Sequence, residues 1–335
     1  MISFCTLFNS TYLTRGLAMY HSLELHCPAF HIYIFAFDQN CFEVLTRLQL
    51  KFATIISLDE FEDAELLRVK PSRTATEYCW TCTPVSIDYC IRRFGLDCCT
   101  YIDADLLFYA DPLVLIDELG DKSVLITEHR YTKQYDQSAI SGKYCVQFVS
   151  IKNDTRGNEV LQWWKQACLD WCYNRVEDNK FGDQKYLDDW CERFEGVHEL
   201  QHLGGGVAPW NMQQYNFCWK AGALQGMELA TGKTFPLVFF HFHGFRYHKS
   251  NVFMPAGPYQ LNENLLTLLY GPYIDSLKRA MQLLTRKIPF QSEKIHELLP
   301  VKKVFYYPRR MYMLYIRGHY RNYYHQSYFS KRQQA

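Results

Sequence analysis

The sequence predicts an α/β protein with a Rossmann-like, mainly parallel or mixed sheet flanked by helices, and a C-terminal helical, basic extension. Three observations carry this. Apolar runs too hydrophobic to face water, Ile2–Phe8 and His31–Phe37, alternate with the helix-like stretch Tyr12–His26. Hydrophobic residues make up 48% of the 335 and charged ones 21%, which supplies a sizeable core and excludes global disorder. Residues 301–335 hold eight Lys/Arg and no acid, which leaves 28 basic and 35 acidic residues (−7) in the first 300.

In order along the chain, Val44–Phe52 reads as helix and Thr54–Ser57 as strand, continuing the alternation. Thr83–Phe94 reads as a helix stopped by Gly95. Cys98–Ile102 enters the sheet and turns at Asp103-Ala104-Asp105. Val124–Thr127 and Cys145–Ile151 are strand candidates, Glu159–Asn174 is a Trp-rich helix, and 204–211 is a glycine-rich loop. Leu237–Phe242 is the last buried strand; Asn262–Tyr270 and Tyr273–Arg286 are helical. A net charge of +1 argues against a whole-protein nucleic-acid binder. No run reaches the roughly 18–20 apolar residues of a membrane span. The N-terminus lacks the basic n-region of a signal peptide, and thirteen scattered cysteines suit reduced cytosolic thiols better than a disulfide framework.

Three motifs bear chemistry. In Tyr101–Phe108 an apolar strand runs into Asp103 and Asp105, which places two carboxylates where open α/β sheets bind ligands. Such a pair can share a hard divalent ion, Mn²⁺ or Mg²⁺, that bridges to a diphosphate; an acidic surface turn is the bland alternative. In Phe239–Gly244 two histidines, His241 and His243, alternate with phenylalanine at a buried strand end. A borderline ion such as Mn²⁺ accepts imidazole, and Gly244 permits close approach of backbone N–H groups to phosphate; strand-end packing is the alternative. Asp183 and Gln184 open a helical segment, either pointing into a cleft or capping that helix. Cys79-X-X-Cys82 lacks a second Cys pair for zinc and a thioredoxin-like surround for redox work, so packing or cleft lining is the better reading.

The order of these motifs resembles the family 8 glycosyltransferases and their bacterial polysaccharide and lipopolysaccharide relatives, with the type A nucleotide-sugar transferase fold, over roughly residues 1–250. The resemblance implies a nucleotide-sugar-binding catalytic domain over 1–255 and a helical extension over 256–300. It implies Mn²⁺ (or Mg²⁺) on Asp103, Asp105 and His241, and a donor, a UDP-sugar, contacted by Asn9, Tyr12, Ala104 and Gly244. Arg246 and Lys249 stand where the family supplies a diphosphate-clamping cation from Lys-Pro-Trp. Asp183 and Gln184 match the acid–amide pair beside the donor sugar, and the transfer would retain configuration. Cys145-Val146-Gln147-Phe148 replaces the family's acceptor-facing Asn-Ala-Gly strand, and Leu203–Asn211 would line the cleft or serve as a tight structural loop.

A sugar nucleotidyltransferase is the rival enzyme, but residues 5–16 hold one Gly and one Arg where it needs a Gly-rich basic loop. The other rival is an inactive membrane-associated scaffold. Residues 301–335 combine eight cations with ten Tyr/Phe, and Met311, Leu314 and Tyr315 fall at helical spacing beside Arg309, Arg310, Arg317 and Arg321. That composition suits a peripheral tail on the anionic cytoplasmic face of a membrane, where a glycan or lipid-linked acceptor would be presented. Docking on the acidic body and nucleic-acid binding are the alternatives for the tail.

Overall fold

The computed structural model describes residues 1–248, 251–287, 308–312 and 322–330. Lys249, Leu314, Tyr315, Arg317 and Arg321 lie outside them, as do the side chains of Arg309 and Arg310. The strands of the central sheet are β1 (Ile2–Phe8), β2 (Phe30–Ala36), β3 (Ala53–Ser57), β4 (Cys98–Ile102), β6 (Val124–Glu128), β7 (Tyr144–Lys152) and β8 (Val197–Glu199). A short β5 (Leu106–Phe108) follows β4 and leaves this sheet. The order is β3-β2-β1-β4-β7-β6-β8. Strands β1–β4 are mutually parallel, and β7 runs antiparallel to both β4 and β6. The mixed α/β expectation therefore holds.

Side chains alternate across the sheet, and both faces are covered, which is why the strands read as continuous apolar runs. Phe4, Ile32, Ile34, Ile102 and Phe148 pack on one side with Leu17, Leu23 and Leu45. Cys5, Tyr33, Phe35, Tyr101 and Val149 pack on the other with Val85, Ile91, Leu161 and Trp164. A third cluster joins Phe240, Phe242, Tyr270 and Tyr273 beside the sheet. All thirteen cysteines are free thiols.

Several boundaries differ from the sequence expectation, and caps explain most of them. The helix expected at Thr83–Phe94 spans Ala75–Phe94, because Thr74 and Glu77 form a reciprocal capping box. Pro84 sits mid-helix, where Thr83 Oγ1 and Thr81 Oγ1 bond back to the Cys79 and Glu77 carbonyls. Asp38 caps Gln39–Leu48 and Asp154 caps Thr155–Asp170, which shifts both helices N-terminal of Val44–Phe52 and Glu159–Asn174. The two helices expected over 262–286 are continuous: a π-helical turn, Leu266–Tyr270, carries the chain through Gly271-Pro272 into Gly271–Lys287.

Short antiparallel pieces escaped the reading. They are β9 (Tyr215–Lys220), β10 (Ala223–Glu228) and β11 (Thr234–Pro236), which form one small sheet; the strand expected at Leu237–Phe242 is present as β12 (Phe239–His241) and pairs with β5. A last sheet holds β13 (Arg246–His248), β14 (Val252–Met254) and β15 (Tyr324–His325). Through β15 part of the basic tail docks on the body. Phe329 is 5% exposed in the third cluster, and Asn322 donates to the carbonyls of Gly257 (2.6 Å) and Tyr259 (3.0 Å). No helix among the described residues is long and apolar enough to cross a membrane. Phe329→Ala should lower the unfolding free energy by about 3 kcal/mol in a urea titration. A loss below about 0.5 kcal/mol, the scale of an ordinary surface change, would show that this segment anchors nothing.

Candidate functional site

The site forms where β1 and β4, parallel neighbours at the centre of the sheet, release their chains at their C-terminal ends. From β1, Asn9 caps the turn Ser10–Tyr12: its Oδ1 accepts from Thr11 N (3.1 Å) and Thr11 Oγ1 (2.7 Å). The Tyr12 ring stays 41% exposed, with the Arg15 guanidinium 4.5 Å from its centre. Arg15 donates to the Thr11 and Phe245 carbonyls, which ties this turn to the loop after β12.

From β4, the chain passes through Asp103-Ala104-Asp105 into β5. Pairing of β5 with β12 sets Leu106 opposite His241, and Phe242 N donates to the Asp105 carbonyl at 3.0 Å. This register brings together groups 136 to 138 positions apart in sequence. His241 Nε2 lies 3.1 Å from Asp105 Oδ1 and 3.7 Å from Asp103 Oδ2. One ligand atom from each of the three residues falls within 4.8 Å of the others.

Gln147, on β7, fixes the imidazole. Its Oε1 accepts from His241 Nδ1 at 2.7 Å, and its backbone carbonyl accepts from Asp103 N at 3.1 Å. With Nδ1–H committed to Gln147, the other nitrogen faces both carboxylates. Tyr101 Oη donates to Asp103 Oδ1 at 3.1 Å. Burial, partly offset by His241, pushes Asp103 up to about 6. Burial acts likewise on Asp105, but the charge and hydrogen bond of His241 prevail and hold it at about 2. Burial also disfavours the His241 charge, yet the carboxylates outweigh it and raise His241 well above its ordinary value. In the protein alone an imidazolium offsets part of the charge of the pair. Two hard oxygens and one imidazole also suit Mn²⁺ or Mg²⁺, so the donor set fits such an ion.

Across a cleft of 630 Å³, Asp183 is 4% exposed and its carbonyl accepts from Trp164 Nε1 at 2.9 Å. It does not cap the turn that follows, Lys185–Asp189, for which no side-chain cap forms. Burial, against a hydrogen bond from Thr83, raises Asp183 to about 7. Gln184 donates to the Ser141 carbonyl at 2.7 Å.

Asn9, Tyr12, Asp103, Ala104, Asp105, Asp183, Gln184 and His241 all line this one cleft, as do Trp210 from the glycine-rich loop and Cys79. Gly244 and Arg246 do not. Gly244 has φ +75° with open space where a Cβ would stand, so its glycine serves the backbone turn; Arg246 lies exposed on β13. Burial raises Cys79 to about 12 and Cys82 well above the usual thiol range, which leaves both protonated and unreactive. Sequence reasoning missed Gln147, His129, Tyr131 and Tyr259 as cleft residues. Gln147 left a trace: one amide in the apolar run of β7.

No family model matches the chain. Two uncharacterized proteins of Bacillus subtilis are similar over most of it. YfnD is 32% identical over 284 residues, 82% of this chain and 88% of its own. YfnF is 34% identical over 252 residues, 73% of this chain and 82% of its own. Among solved structures, galactosyltransferase LgtC in complex with donor and acceptor sugar analogs matches 86% of this chain and all of its own, at TM-score 0.52 and 12% identity. The bifunctional glycosyltransferase WbbM matches 85% of this chain and 51% of its own, at TM-score 0.51 and 13% identity. The fold is that of the type A glycosyltransferases. The chain belongs to the family of YfnD and YfnF.

A carboxyl raised from 3.8 to about 7 stabilises the fold fully below its unfolded pKa and loses that contribution as pH rises through 7. In metal-free protein, Asp183→Asn should therefore gain stability relative to wild type between pH 4 and 7, by at most about 1.4 kcal/mol per pKa unit. Thermal unfolding across that range checks this, and a constant difference would contradict it.

Proposed function

We propose that this member of the YfnD and YfnF family is a glycosyltransferase. It moves a sugar from a nucleotide sugar, of the UDP class, to a hydroxyl of a glycan or lipid-linked acceptor, with retention. The observation that carries the reading is the convergence, in one cleft, of an Asp103–Asp105–His241 donor set, an exposed aromatic residue and an acid–amide pair. Family 8 kinship is the finer form of the same reading.

Asp103, Asp105 and His241 would hold Mn²⁺ or Mg²⁺, whose chemistry here is to neutralise the leaving diphosphate. The rest falls to the chain. Tyr12, part-exposed at the cleft, offers its ring to the base, and Asn9, with Oδ1 committed to Thr11, keeps its amide N–H groups for base or ribose. Asp183 and Gln184 stand beside the sugar and meet the positive charge that develops at the anomeric carbon. Cys145 lies beside His241, but burial holds its thiol above the ordinary range, which makes it a poor nucleophile, so attack from the leaving-group face fits best. The acceptor oxygen bonds the anomeric carbon as its bond to the diphosphate oxygen breaks, and the acceptor proton passes to that leaving oxygen. A nucleotidyltransferase would need a glycine-rich phosphate loop after β1; a capped turn stands there instead.

Purified protein with Mn²⁺ should bind a UDP-sugar and slowly hydrolyse it. Asp103→Asn and Asp105→Asn should each lose at least about a hundredfold in rate, and chelator should abolish the reaction. Gln147→Leu should stay folded and weaken Mn²⁺ binding about 10–100-fold, with turnover recovered at high Mn²⁺. Undiminished hydrolysis in chelator, or in either aspartate variant, would overturn the reading.

A further inference from the structure

Among its described lining residues the cleft has no lysine or arginine, and three of them are aspartates. Around Asp183 and Gln184, in the half assigned to the sugar, the walls are Cys79, Trp80, Thr83, Ser141, Val146 and Phe181, all uncharged. Lys185 is next along the chain but 6% exposed, and its ammonium is committed to the Ser138 carbonyl (3.2 Å) and Asp188 (3.3 Å). Arg15 belongs to the other half, tied to the Thr11 and Phe245 carbonyls behind Tyr12. His129 is buried and held neutral, pushed down to about 3.

We propose that the donor sugar is electrically neutral, a hexose or N-acetylhexosamine and not a uronic acid. The inference rests on the glycosyltransferase reading above and narrows its substrate class. A uronate would bring its carboxylate into a half-cleft lined by Asp183, with no lysine or arginine among the described lining residues to receive it. Sites that take carboxylates meet them with a guanidinium fork or an ammonium. An anion buried without a partner is strongly disfavoured. Hydroxyl and acetamido groups, by contrast, find an acid, an amide and two aromatic faces: Trp80 and Phe181 lie with ring centres 6.0 Å apart.

The test uses the full-length protein with Mn²⁺. Titration calorimetry would measure binding of UDP, UDP-glucose, UDP-galactose, UDP-N-acetylglucosamine, UDP-glucuronate and UDP-galacturonate, and hydrolysis of each sugar nucleotide would be followed in parallel. At least one neutral donor should bind more tightly than UDP and exceed both uronates by about a hundredfold or more in kcat/KM. Both uronates should bind no more tightly than UDP itself. A uronate bound or hydrolysed as well as the best neutral donor would overturn the inference and leave the glycosyltransferase reading standing. If neither UDP nor any UDP-sugar binds, the glycosyltransferase reading falls and takes the inference with it.

Discussion

The pairing of β5 with β12 is the contact on which the site depends. These are two three-residue strands, yet they set His241 against the carboxylates of the turn after β4. Their stability comes from the core on both sides. Phe108 and Phe239 meet edge to face at 5.8 Å, and Phe239 stacks on Phe148 of β7 at 5.4 Å. Phe148 adjoins Gln147, so one stretch of β7 supports the pairing through its ring and orients His241 through its amide. Rigid strand ends with packed neighbours hold polar groups to a tolerance that loops do not.

That arrangement carries an electrostatic cost which the protein settles internally. Two partly desolvated carboxylates, 30% and 13% exposed, repel each other. His241 relieves the repulsion as an imidazolium, donating one N–H to Gln147 and directing the other at Asp105. The group that offsets part of the pair's charge in the protein alone is thus the same group proposed to share an ion with it. Farther across the cleft Asp183 has no such partner, and burial keeps it protonated to near neutrality.

What was legible in the sequence was local. Asp103 and Asp105 at the end of an apolar strand, the alternating histidines, and Asp183-Gln184 each announce themselves within a few residues, and all but His243's choice of role resolve into one cleft. The partnership of Gln147 with His241 spans 94 positions and has no local signature beyond a polar residue in an apolar strand. Gly244 and Arg246 were placed by analogy with a family motif that this chain leaves after Gly244, and neither lines the cleft. The helix expected at Thr83–Phe94 begins earlier, because the capping box of Thr74 and Glu77 sets its start. The tail's composition said nothing of β15, because two residues of edge strand carry no period.

The central claim is that Asp103, Asp105 and His241 form one metal centre at the nucleotide end of the cleft. Anomalous diffraction at the manganese edge, from crystals grown with MnCl₂ and UDP, tests it most directly. The account predicts a single strong peak bonded to His241 Nε2, to both carboxylates and to UDP phosphate oxygens, with His241 Nδ1 still on Gln147. Bound UDP with no peak there, or a peak held by other residues, would contradict it.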